Sequence, residues 1–241
     1  MTRILEICVD SPDGLAAAIE GGADRIELCS ALALGGLTPT AGLIALAARA
    51  PVPVMAMIRP RAGGFDWNAD EVTAMEVEIA AVARAGLAGV VIGATRSEPG
   101  GVTLDLAVMR RLVSTARGLD ITLHRCIDLM EDPLTAIDQA ADLGASRILS
   151  SGGAASATEG LARLRQMTAH AAGRIAIMPG AGVSAATLPA LIEALDPAEV
   201  HASASHPDPG TGAIARFGFQ PEGARRTDAA TVAGLKRLLR T

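Results

Sequence analysis

The chain has 241 residues, half of them hydrophobic, and carries a net charge of −5. That length and apolar content suit an α/β barrel whose core needs no disulfide or metal to hold it. The acidic balance excludes bulk electrostatic attraction to nucleic acid, and 2% aromatic residues, with no tyrosine and Trp67 as the single tryptophan, exclude stacking platforms for bases.

Short β runs are predicted at 3–9, 25–29, 52–59, 89–93, 121–126, 147–151, 174–178 and 199–202. Helical patterns follow them at 12–21, 39–50, 70–85, 104–117, 133–143, 157–170, 185–194 and 229–239. The punctuation repeats. Gly21-Gly22-Ala23-Asp24-Arg25-Ile26 reads as helix stop, turn and strand, and Ala85-Gly86-Leu87-Ala88-Gly89-Val90 and Leu143-Gly144-Ala145-Ser146-Arg147-Ile148 share that grammar. Ser11-Pro12, Thr38-Pro39 and Asp132-Pro133 read as an N-cap followed by proline at the first helical position. Eight βα units over residues 1–241 predict a single-domain (β/α)8 TIM barrel. A doubly wound open sheet is the alternative, but its G-x-G-x-x-G turn after the first strand is absent. The stretch 203–227, with Pro207, Pro209, Gly210, Gly212, Gly218, Pro221 and Gly223, reads as a long irregular loop, equally a lid or plain surface.

Three cysteines (Cys8, Cys29, Cys126) are too few and odd in number for a disulfide framework and fit reduced thiols in a cytoplasm. The opening Met1-Thr2-Arg3-Ile4-Leu5-Glu6 meets a carboxylate too early for a secretory apolar segment, and the longest apolar runs stop short of a membrane span. A cytoplasmic protein is expected, with no nucleic-acid or membrane partner. A homodimer is compatible with an apolar barrel of this kind.

Two strands carry the same signature, Leu5-Glu6-Ile7-Cys8 and Ile26-Glu27-Leu28-Cys29. Side chains alternate across a strand, so each glutamate shares a face with the cysteine two residues on. Neighbouring parallel strands lie about 4.8 Å apart, which brings the two pairs together. Buried carboxylates are costly unless paired, and Arg59, Arg61 and Arg125 at the ends of other strands are the expected cations. Either these charges only neutralise one another, or positive charge is left over for an anion. Ser151-Gly152-Gly153 and Gly180-Ala181-Gly182 precede the sixth and seventh helical patterns, where backbone N–H groups attract phosphate or carboxylate. His124 and His201, also at strand ends, are candidate acid/base groups beside Glu6 and Glu27, or structural hydrogen-bonders. Cys8 and Cys29 fit two descriptions: soft ligands for Cu(I), or core thiols.

The runs Leu5-Glu6-Ile7-Cys8, Gly21-Gly22-Ala23-Asp24-Arg25-Ile26-Glu27-Leu28-Cys29, Gly35-Gly36-Leu37-Thr38-Pro39, Ile58-Arg59-Pro60-Arg61, Thr122-Leu123-His124-Arg125, Arg147-Ile148-Leu149-Ser150-Ser151-Gly152, Ile177-Met178-Pro179-Gly180-Ala181-Gly182-Val183 and Glu199-Val200-His201 together resemble the CutC family, described as copper homeostasis proteins. The resemblance implies a (β/α)8 barrel, a cytoplasmic location and a part in copper handling, with Cys8 and Cys29 as Cu(I) ligands. The chain departs from the family in two places. Arg61 is followed by Ala62-Gly63-Gly64-Phe65-Asp66, where the family usually reads Gly-Gly-Asp-Phe. Cys126-Ile127 stands where the family has Ala-Phe. Two functions are therefore expected: Cu(I) binding at the barrel mouth, or alternatively an isomerase-, aldolase- or lyase-like step on a small anionic or phosphorylated metabolite. In the second, Arg59, Arg61, Arg125, Ser151, Gly152, Gly180 and Gly182 hold the anion, and Glu6, Glu27, His124 or His201 moves protons.

Overall fold

Strands form where short apolar runs lie between a glycine stop and a polar loop, and each is flanked by a helix that covers its outer face. The structure is a computed structural model that describes residues 3–208 and 212–240. The strands are β1 (Ile4–Val9), β2 (Arg25–Leu28), β3 (Val54–Met57), β4 (Gly89–Ile92), β5 (Asp120–Leu123), β6 (Arg147–Ser150), β7 (Ala176–Pro179) and β8 (Glu199–Ala202). The helices are α1 (Pro12–Glu20), α2 (Ala41–Ala47), α3 (Ala69–Ala85), α4 (Leu106–Thr115), α5 (Pro133–Asp142), α6 (Leu161–Ala171), α7 (Leu188–Leu195) and α8 (Ala229–Leu238). All strand pairings in the barrel are parallel, in the order β8-β1-β2-β3-β4-β5-β6-β7. Because β7 lies against β8, the sheet curls into a nearly closed (β/α)8 barrel.

The core has two parts, set by strand alternation. Leu5, Ile7, Val9, Ile26 and Leu28 point outward and pack with the helices in one large apolar shell. Met55, Met57, Cys29 and Val91 form a smaller apolar cluster within the barrel. The caps at Ser11 and Asp132 are as expected, each side chain accepting a backbone N–H of the first turn, with proline next. Thr38-Pro39 is different. Thr40 caps α2, while Thr38 Oγ1 donates to Glu78 and accepts from Arg59 N. Its hydroxyl ties two βα units together instead of starting a helix.

Three segments differ from expectation. Residues 95–104 form an antiparallel hairpin, Thr95–Glu98 with Gly101–Leu104, where none was predicted. The fifth strand ends at Leu123 rather than at residue 126; His124 Nδ1 accepts from Cys126 N (3.2 Å) and starts a 3-10 turn over Arg125–Leu129. The 203–227 stretch contains a strand pair, Ser205–Pro207 with Arg225–Thr227, and a short helix at Gly212–Arg216; Pro209 and Gly210 lie outside the described residues. Among the described residues, no helix is long and apolar enough to cross a membrane.

Candidate functional site

Alternation along the strands selects which side chains enter the barrel. Glu6 and Cys8 on β1, Arg25 and Glu27 on β2, Arg147 on β6, and Glu199 and His201 on β8 converge there. In the lower layer Arg25 donates to both Glu6 and Glu199. Arg147 donates from Nε to Glu199 (2.9 Å) and from Nη1 to Thr122 Oγ1 (3.1 Å), and its Nη2 pairs with Asp120 (2.7 Å). Alternating charges thus run up the barrel and end on Glu6, which is wholly buried.

Glu6 takes its second partner from above, where His201 Nδ1 donates to Glu6 Oε1 (2.8 Å). Burial alone would raise the Glu6 carboxyl, but the hydrogen bond and charge of His201, with Arg25, outweigh it and hold the group at about 2. With Nδ1 tied down, His201 turns Nε2 toward Glu27 Oε2 (3.8 Å). One donor atom from each of Cys8, Glu27 and His201 lies within 4.8 Å of the other two. Burial disfavours the imidazolium, yet Cys8, Glu27 and Glu6 raise His201 well above its ordinary value. Glu27 moves in the direction opposite to Glu6: burial pushes it up, His201 pulls against that, and the Glu6 charge adds to the rise. Cys29 Sγ is 3.6 Å from Glu27 Oε2, and burial together with that carboxylate keeps its thiol well above the usual range.

Over this cluster opens a cavity of about 470 Å³, at the C-terminal ends of the strands. Cys8, Glu27 and His201 line it together with Arg59, His124 and Arg125. His124 is admitted by Gly93, where a Cβ would stand 2.3 Å from His124 Cε1. The Phe65 ring packs 4.6 Å from the imidazole. Burial and the Arg59 charge lower His124 to about 3, so it is neutral, and because Nδ1 accepts from Cys126 its proton sits on Nε2. Among the described residues, Glu27 Oε1, Arg59 Nε and His124 Nε2 are all buried without a hydrogen-bond partner.

The sequence-predicted residues divide. Glu6, Glu27, His201 and Cys8 meet as expected, and Arg59, Arg125, His124 and Gly182 line the same cavity. None of the three expected arginines answers Glu6 or Glu27. Arg59 donates to the carbonyls of Leu34, Gly36 and Gly63. Arg61 turns away to Glu71 and the Trp67 ring, and is not part of the cavity wall. Arg125 pairs with Asp128 (2.7 Å). The cation that serves Glu6 is Arg25, which the alternation rule reveals when it is run two residues back from Glu27. Arg147 and Glu199, two residues before Leu149 and His201, carry the same signal.

The expected anion cradle at Ser151 and Gly152 is corrected as well. The Asp128 carboxylate already fills it, accepting from Ser151 N (3.0 Å), Gly153 N (3.1 Å), Ser150 Oγ (2.6 Å) and Ser151 Oγ (2.9 Å). Gly152 N donates to Ser150 Oγ. These glycines also do not open a helix, because α6 starts only at Leu161. Gly180 N donates to Ser150 O, and Leu149 fills the space a Cβ would need, so Gly180 is a packing position.

The geometry can be set beside known proteins. A sequence profile described as the CutC family matches residues 3–206. The CutC family protein of Rhizobium meliloti (strain 1021) is 48% identical over 241 residues, covering 99% of this chain and 97% of that protein. That of Caulobacter vibrioides (strain NA1000 / CB15N) is 48% identical over 240 residues, covering 98% and 97%. Among solved structures, a copper homeostasis protein CutC from Streptococcus agalactiae is similar with a TM-score of 0.78 and 28% identity, covering 83% of this chain and 98% of that one. With a match over most of its length and relatives identical at nearly half their positions, the chain belongs to the CutC family.

Proposed function

We propose that this protein is a copper homeostasis protein of the CutC type that holds Cu(I), as its cargo, at the floor of the barrel mouth in the cytoplasm. The observation that carries the reading is the meeting of Cys8, Glu27 and His201 donor atoms within 4.8 Å of one another beneath an open cavity. Cu(I) favours a few soft donors, and a Cys8 thiolate with the His201 imidazole supplies two. Glu6 behind His201 Nδ1 is the carboxylate–histidine arrangement that orients metal-bound imidazoles. Uptake of the ion displaces the Nε2 proton of His201, so affinity rises with pH. Cys29, the other expected ligand, stands outside this group of three donors, with its Sγ 3.6 Å from Glu27 Oε2. The family and the description of the Streptococcus agalactiae neighbour support the same assignment. A cytoplasmic setting agrees with three thiols that are all free and buried.

Anaerobic titration of the reduced protein with Cu(I) against a competing chelator tests the proposal. Glu6→Gln is expected to weaken binding by about 10- to 100-fold, as for other carboxylates behind metal-bound histidines, and Cys8→Ser by more than about 100-fold. Unchanged affinity when both Cys8 and Cys29 are replaced by serine would refute it.

A further inference from the structure

We infer that the outer part of the mouth cavity binds a small phosphate monoester, held by the loops that follow β7 and β8. This goes beyond the copper reading and stands without it. After β7, Ala181, Gly182 and Val183 line the cavity, and among the described residues none of their N–H groups has a protein acceptor. The next N–H, that of Ser184, is taken by Thr187 Oγ1 (2.9 Å), which bounds the run of open donors at three. After β8, the hydroxyls of Ser203 and Ser205 lie 3.1 Å apart, and Arg225 Nε donates to Ser205 Oγ (3.0 Å). These three residues line the same cavity. Ala181 (φ 71°) and Ala204 (φ 45°) both hold left-handed backbone in these two loops, a conformation that side chains with a Cβ rarely adopt and that concentrates at ligand sites.

The independent sign of a ligand is on other residues of the lining. Of the five buried side-chain N or O atoms left without a partner among the described residues, three belong to Glu27, Arg59 and His124. Each of these side chains is more than nine-tenths buried. An unpaired buried polar group is a standing cost, and three in the walls of one cavity mark where a polar molecule would supply the missing partners. His124, with its proton on Nε2, and Arg59 donate; Glu27 Oε1 accepts.

The donor inventory selects phosphate over carboxylate. Three N–H groups, the one hydroxyl proton that the Ser203–Ser205 pair leaves over and the remaining N–H groups of the Arg225 guanidinium exceed what two carboxylate oxygens use, and match the three terminal oxygens of a phosphate monoester. The charge balance agrees: Arg59 and Arg225 line the cavity with no ion-pair partner among the described residues, against the carboxylate of Glu27, while Arg125 is already paired with Asp128. The volume of about 470 Å³ admits the phosphate with a short polar carbon chain that reaches from the loops to His124 and Glu27.

The test is an amide NMR titration of the reduced, metal-free full chain with inorganic phosphate and with glycerol 3-phosphate. Glycerol, and chloride at matched ionic strength, are the controls. Saturable shifts are expected at Gly182, Val183 and Ser203 with both phosphates and with neither control, and glycerol 3-phosphate is expected to bind at least as tightly as inorganic phosphate. Arg225→Met and Ser203→Ala each weaken binding by about tenfold, the loss of one charge-assisted contact. Both positions lie outside the barrel core, and an otherwise unchanged spectrum shows the fold intact. The inference is overturned by absence of saturation up to about 10 mM phosphate, by equal shifts with chloride, or by undiminished binding in Arg225→Met. Cys8→Ser, which tests the copper site, is expected to leave the phosphate response in place, so the two readings fail separately.

Discussion

Glu6 offers a quantitative test of the charge ladder inside the barrel. Its carboxyl is held at about 2, against 4.5 in an open chain. The difference corresponds to about 3 kcal/mol of folding stability. Because the folded value is the depressed one, this stabilisation is complete above pH 4.5 and disappears as the pH falls through about 2. Glu6→Gln keeps the size and an oxygen facing His201 but removes the charge, leaving Arg25 with Glu199 alone. At neutral pH the variant should lose about 3 kcal/mol, the scale of a broken buried ion pair. For a chain of this length that lowers the thermal midpoint by about 6–12 °C. Urea unfolding of both proteins from neutral pH down to pH 2 should then show the gap closing below pH 4.5. A gap that stays constant over that range, or no gap at neutral pH, would show that Glu6 is not held by His201 and Arg25 as described.

Other expectations follow from the same geometry. Arg147→Met, which leaves Glu199 to Arg25 alone and removes the arginine beside Asp120, should cost about 1–3 kcal/mol in urea unfolding; a loss below about 1 kcal/mol contradicts the ladder. The two mouth histidines should behave oppositely by NMR: His124 stays neutral with its proton on Nε2 from alkaline pH down toward 3, whereas His201 titrates above the ordinary histidine value. Titration of His124 near 6.5 would disprove its burial beneath Phe65. Gly93→Ala places a Cβ 2.3 Å from His124 Cε1 and 2.6 Å from Cys126 Sγ. It should destabilise by about 1–3 kcal/mol and shift the His124 resonances; a neutral substitution there would mean the ring sits elsewhere.

The barrel was legible because its grammar repeats: glycine stops at Gly22, Gly86 and Gly144, each followed within a few residues by an apolar strand. The hairpin at 95–104 left no such trace. Arg96, Ser97 and Glu98 are all exposed, so no apolar alternation marks them as a strand. In the site, period-two alternation was enough to bring Glu6, Cys8, Glu27 and His201 together. Arg25, Arg147 and Glu199 obey the same alternation, but they lie one step below the strand ends, where the expected site residues are placed. Asp128 is a different case. It neutralises the loop after β6 by reaching across 22 to 25 residues of chain, and nothing local in the sequence shows that closure. The donors at Ser151 and Gly153 therefore read as open when they are filled from within.

Trp67 turns the neighbourhood of the mouth into its own optical reporter. Its indole Nε1 donates to Gly93 O (2.9 Å), the residue against which His124 packs, and its ring meets Phe65 edge-on at 6.2 Å. With one tryptophan and no tyrosine in the chain, all intrinsic emission arises from this spot. Occupancy of the cavity can thus be followed by fluorescence without attaching a dye, while the same scarcity makes ultraviolet absorbance a weak measure of protein concentration.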